Sequence, residues 1–145
     1  MKKTSSEKHA FLLEAPLEVL HAESLEWLEE IEFWKDESAF FYTLVIEKTK
    51  QNLETFKTKE SKDIEKHLVY ISAEKLDDLR IEVQAHEQFL ARLIGNIKLD
   101  DQLYRRRHKA IAEKIHSFES EFKEMKKKVF LSAKQAVVKK KSISV

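Results

Sequence analysis

The chain has 145 residues and a formal net charge of +1, with 37% of residues charged and 42% hydrophobic. That length fits one domain, and the near-neutral balance speaks against a dedicated nucleic-acid binder. The absence of cysteine excludes disulfides and thiolate metal sites. One glycine and one proline leave few places to turn, which favours a few long helices.

No apolar run approaches the ~20 residues that would span a bilayer. The opening stretch is too short and too interrupted in its apolar part for a signal peptide. A cytoplasmic protein is expected.

Residues 1–12 read as a flexible, polar lead-in. A single helical domain is expected over 13–138. Pro16 suits the first turn of a helix, and the spacing predicts helix over about 16–56. Leu17, Leu20, Ser24, Trp27, Ile31, Trp34, Ser38, Phe41 and Val45 follow alternating steps of three and four. That spacing keeps them on one side of a helix, and its persistence argues a coiled-coil-like seam. Nothing in this stretch alternates as a strand would.

Phe33, Phe40 and Leu44 make a second stripe, at steps of seven and four. A helix that is apolar on two sides needs two partners. These three residues face either another helix or the N-terminal segment of the same chain, or a second copy; in the latter case they are the candidate contact residues of a homo-oligomer, with a dimer as the simplest case. Between Phe11 and Glu47 there are ten acidic residues, and Lys35 is the only lysine or arginine.

A second helix is predicted over 62–94. Its later seam is Leu76, Leu79, Val83, His86, Leu90 and Leu93. The earlier Ile64, Leu68 and Ile71 are out of phase with that series, as at a stutter. Gly95-Asn96 reads as a stop taken in a left-handed conformation, with Asp100 or Asp101 capping the next helix. The third helix, over 101–138, carries Tyr104, His108, Ile111, Ile115, Phe118, Phe122, Met125 and Val129. Residues 139–145 read as a loose basic tail.

Three long helices with short turns must run up, down and up. The expected fold is therefore all-α, an elongated antiparallel three-helix bundle with coiled-coil-like heptad seams. Turns centred near Lys59 and Leu99 set His86 level with Glu113 and His108 level with Ala91, in different layers. The same register brings Arg105, Arg106 and Arg107 near Glu23, Glu26 and Glu30.

Glutamates and histidines are the candidates for chemistry. Glu18 and His21, and again Glu113 and His116, stand three residues apart, on one helix face. This resembles a fragment of the ferritin-like di-metal pattern, in which two such pairs and two further glutamates hold the metals. The resemblance implies a metal-carboxylate bundle as an alternative function, although the expected register sets the two pairs far apart. No cofactor is expected apart from that di-metal centre.

His86 and His108 occupy seam positions, where a buried polar residue specifies register and an imidazole can titrate near neutral pH. Lys126, Lys127, Lys128, Lys139, Lys140 and Lys141 form the candidate anion-binding region. Charge alone would draw such clusters to nucleic acid or anionic membrane, but neither is the expected partner. No histidine-acid arrangement activates a serine or threonine. The sequence reads as a non-enzymatic helical interaction or scaffolding module that self-associates, its protein partner otherwise unspecified.

Overall fold

The computed structural model describes residues 15–51, 59–96 and 100–143, with side chains over 15–48, 59–96 and 100–134. Among the described residues the chain is helical, with no strand. Helix α1 is Leu17–Gln51, α2 is Lys59–Tyr70, a π-helical turn is Ile71–Lys75, α3 is Leu76–Ile94 and α4 is Asp101–Ile143. No helix among the described residues is long and apolar enough to cross a membrane.

Pro16 stands immediately before α1, and its carbonyl accepts from the Val19 and Leu20 N–H groups at 3.0 and 3.3 Å. The seam residues Leu20, Ser24, Trp27, Ile31, Trp34, Ser38, Phe41 and Val45 are all buried. Ser38 satisfies its hydroxyl by donating to the Trp34 carbonyl one turn back, at 2.7 Å. The expected end of this helix near residue 56 falls outside the described residues.

Lys59 to Ile94 is helical throughout, three residues longer at its start than the 62–94 expected. The phase slip has a structural cause. Ile71 and Leu76 are both fully buried, yet five residues apart. On an α-helix that separation turns one about 140° away from the other. The chain inserts a π turn at this point, and the Leu76 N–H donates to the Ile71 carbonyl. One extra residue in the turn brings the two faces back into line.

Gly95 does not stop α3 in the expected way. No described residue has a positive φ. The Gly95 N–H still reaches the Ala91 carbonyl at 3.2 Å, and the Asn96 N–H closes a tighter turn onto Leu93, also at 3.2 Å. The last turn tightens instead of reversing hand. Asp100 caps α4, its Oδ1 accepting from the Gln102 N–H at 2.9 Å.

Helix α4 runs to Ile143, past the expected end at 138. No glycine or proline follows Asp101 to break it, and lysine is a good helix former. The segment expected to be a loose tail is thus helical up to residue 143.

The chain's contacts gather into two compact units, each built from pieces of the long helices. One joins the chain up to Glu32 with Asp78–Phe118, and the other joins Phe33–Asp77 with the chain from Glu119 on. In the first, Ala15, Leu20, Leu90, Leu93 and Tyr104 form a core cluster with Leu17, Phe89 and Ala112 packed against it. In the second, Phe122 lies 6.4 Å from Trp34 and 6.3 Å from Phe41, ring centre to ring centre. Ion pairs tie the helices within each unit: Glu32–Arg80 at 3.2 Å and Glu82–Lys114 at 2.9 Å in the first, and Lys35–Asp77 at 2.5 Å in the second, where His67 Nε2 also lies 2.9 Å from Glu121 Oε1. Partly exposed pairs of this kind stabilise by only ~0–1 kcal/mol each, so the aromatic and aliphatic seams carry the packing.

Two outcomes test these local readings. A Cβ on Gly95 would meet only the Ala91 and Arg92 carbonyl oxygens, at 3.6 and 3.8 Å, ordinary contact distances. Gly95→Ala therefore stabilises the chain by roughly 0.4–1 kcal/mol in denaturant unfolding, whereas a left-handed glycine would make it destabilising. Deleting Ala73, exposed within the π turn, gives Ile71 and Leu76 ordinary α-helical spacing. Its melting temperature stays within about 4 °C of the parent, the worth of ~1 kcal/mol at this size. Deleting the exposed Gln84 instead turns the seam beyond it by about 100° and lowers the melting temperature much further.

Candidate functional site

Two features of the sequence become sites in the structure, an aromatic face and a histidine layer. The face belongs to the second unit. Phe33 and Phe40 are each 64% exposed, and Leu44 is half-buried. Leu44 is partly covered because it lines a narrow cleft between α1 and α4 with Val45, Lys48, Val129, Ser132 and Ala133. Phe130 of α4 joins this face and is 58% exposed. The buried Phe41 ring contacts both Phe40 and Phe130 edge-on, at 5.8 Å each.

The ion pair Glu37–Lys126, at 2.8 Å, fixes which sides of the two helices face each other. Glu37 is one turn from both Phe33 and Phe40, and Lys126 is one turn from Phe130. All therefore border the same α1–α4 groove. The sequence hides Phe130 because it follows a lysine run and lies one position off the α4 seam. Only the helix pairing reveals that it shares a face with Phe40.

The histidine layer belongs to the first unit. His86 is 4% exposed and His108 fully buried. They do not lie in different layers: His86 Nε2 is 3.0 Å from His108 Nδ1. The expected turn centre at Leu99 was too far along the chain. The bonded pair is centred on position 97, and the error of about one helical turn separated residues that touch. On its other side, His108 Nε2 is 2.9 Å from Glu23 Oε1. Two of the arginines have defined contacts. Arg105 donates to Asp101 at 3.2 Å and to the Ala15 carbonyl, and Arg107 lies over the Phe89 ring at 4.8 Å.

The chain of bonds is anchored on the carboxylate. Glu23 accepts from His108 Nε2–H, and His108 Nδ1 and His86 Nε2 share the second hydrogen bond. His86 Nδ1 is buried without a hydrogen bond. Aromatic rings enclose the layer. Tyr104 stacks flat on His86 at 4.2 Å and 1°, and Trp27 stacks on His108 at 4.5 Å. The Tyr104 and Ser24 hydroxyls are buried with no well-formed hydrogen bond.

Burial, then the neighbouring His108 and Arg107, depress His86 from 6.5 to about 4. Burial, then the Glu87 charge, push Tyr104 up to about 12, against the Ser24 hydroxyl and Arg105. The layer is thus neutral at both imidazole 86 and phenol 104 near pH 7.

The four metal candidates are not brought together. His21 bonds Glu87 instead of facing a second Glu-x-x-His pair, and Glu18, Glu113 and His116 are exposed. Among the described residues no group of three or more histidine and carboxylate side chains could hold a metal ion. The physical reason is that both pairs lie off the buried seams, so packing does not turn them inward.

The lysine run is partly neutralised within its own chain. Lys126 pairs with Glu37 and lies 5.0 Å over the Phe122 ring, and Lys127 pairs with Glu124 at 3.1 Å. Lys128 lines a cavity of about 490 Å³ shared with Lys59, Glu60 and Asp63. The side chains of Lys139, Lys140 and Lys141 lie outside the described residues.

No protein-family model, curated protein or solved structure matches the chain.

The histidine layer makes stability depend on acid. A histidine whose folded pKa lies below its unfolded value binds fewer protons when folded. Its contribution is complete above the unfolded value and is lost as pH falls. From about 6.5 to about 4, unfolding free energy drops at up to ~1.4 kcal/mol per pH unit, roughly 3 kcal/mol in all. Urea unfolding of the parent and of His86→Gln over that range measures it, and the substitution removes His86's share of the slope.

Proposed function

We propose that the chain is a non-enzymatic helical interaction module that self-associates, in the first instance as a dimer. An antiparallel three-helix bundle running up, down and up is the fold that goes with this reading, and contacts within the first unit support it. Within the first unit, residue numbers that rise along α1 fall along α3, from His21–Glu87 to Glu32–Arg80. The same holds between α3 and α4, from Glu82–Lys114 to His86–His108. Buried residues at steps of three and four support coiled-coil-like seams.

The observation that carries the function is the exposure of Phe33 and Phe40, seven residues apart on a helix whose seam is already buried. A phenylalanine left in water gives up the ~1.5–3 kcal/mol that burial supplies. Isolated exposed apolar residues need no explanation, but an aromatic cluster marks a contact surface. Four such rings from two symmetric copies compare with an association cost of ~4–15 kcal/mol. A modest, roughly micromolar dimer is the expected order of magnitude.

Multi-angle light scattering across micromolar concentrations reads the oligomer directly. Phe40→Glu keeps the helical circular dichroism signal and weakens association at least ~10-fold, equivalent to ~1.4 kcal/mol. A parent protein that stays monomeric over the whole range removes the proposal.

A further inference from the structure

The charges beside the aromatic groove are mainly acidic on α1 and mainly basic on α4; the exceptions are Lys48, which lines the Leu44 cleft, and Glu124, which pairs with Lys127. On α1, Asp36 lies one turn from both Phe33 and Phe40, and Glu47 lies seven residues beyond Phe40; both are exposed. On α4, Lys127 and Lys134 flank Phe130 at one turn on either side, with Lys123 one turn further back; all three are exposed. The two banks are level. Glu37 pairs with Lys126 and Phe41 touches Phe130. The common offset places Asp36 at the height of Lys123 and Lys127, and Glu47 at the height of Lys134.

That arrangement selects between the ways two copies can pack face to face. A two-fold axis across the helices lays α1 on α1, acid on acid and lysine on lysine. An axis along the helices lays α1 on the partner's α4 at unchanged height, acid on base at both ends. Like charges brought together cost binding, and complementary ones set register and orientation.

Resting on the self-association proposed above, we infer that the Phe33–Phe40–Phe130 groove is closed by a second copy of this chain. The copies are related by a two-fold axis running along α1 and α4. Asp36 faces Lys123 and Lys127 of the partner subunit, and Glu47 faces Lys134 of the partner subunit. The rings supply the affinity, and the banks exclude the alternative packing.

The test uses two charge-reversed full-length chains, Asp36→Lys with Glu47→Lys, and Lys123→Glu with Lys127→Glu and Lys134→Glu. Alone, each presents two banks of one sign and loses at least ~10-fold in self-association, about 1.4 kcal/mol. Mixed in equal amounts, they recover a dimer at parent affinity, because every bank again meets its opposite. Circular dichroism checks that each remains helical. If a reversal unfolds its chain, Asp36→Asn with Glu47→Gln replaces it, and its dimer loses the parent's sensitivity to salt. Variants that each dimerise as tightly as the parent, or that fail to recover on mixing, overturn the axis assigned here. A parent that never dimerises overturns the underlying reading instead, and this one with it.

Discussion

A chain with one glycine and one proline has few helix breakers, and here it satisfies its backbone polar groups over long stretches by remaining helical. Each helix must then bury one continuous strip of side chains, and that strip must keep phase with its neighbours over many turns. Most of the structure follows from this phase constraint. Where the seam of 64, 68 and 71 meets that of 76, 79 and 83, the spacing is wrong for an α-helix. The backbone absorbs the mismatch in a π turn between two fully buried residues, Ile71 and Leu76. Losing ideal geometry over one turn costs less than exposing an isoleucine or a leucine, each worth ~1.5–3 kcal/mol when buried.

The same constraint makes the histidine layer informative. A seam built only of leucine and phenylalanine would tolerate a slip of one turn, since apolar residues substitute for one another with little penalty. The Glu23–His108–His86 chain does not tolerate it. A displaced α4 would leave a glutamate and two imidazoles buried or half-buried without partners, each at a cost of kilocalories. The layer thus trades some stability, visible in the depressed pKa of His86 and the orphaned Nδ1, for a defined register in its unit. Its acid sensitivity is a consequence of that trade.

Much of the fold was legible in the sequence, and the parts that were not share a cause. Every described seam position named on α1 from Leu20 to Val45, and on α4 from Tyr104 to Val129, is buried, because periodicity within a helix is a local property. Register between helices is not local. It depends on where a turn centres, and an error of about one turn hid the His86–His108 bond. Gly95 misled for a related reason: a glycine permits a left-handed residue without requiring one, and here the helix closes with a tighter turn. Phe130 was missed because nothing along α4 marks it. It becomes part of a site only through Phe41, which belongs to another helix.

One groove gathers three exposed aromatic side chains. Phe33, Phe40 and Phe130 are mostly exposed, so they contribute little to the unit from which they project. The surrounding charges are not arranged for helix stability either. Alternating glutamate and lysine at one-turn spacing would support each helix by ~0.2–0.5 kcal/mol per pair. Instead α1 from residue 36 to 47 carries acids and no base, while α4 from 126 to 141 carries lysines and no acid. Apart from the Lys127–Glu124 pair, segregation of this kind leaves little local pairing on either stretch. In the dimer proposed above, the two banks meet their opposites on the second copy at the height where the rings lie.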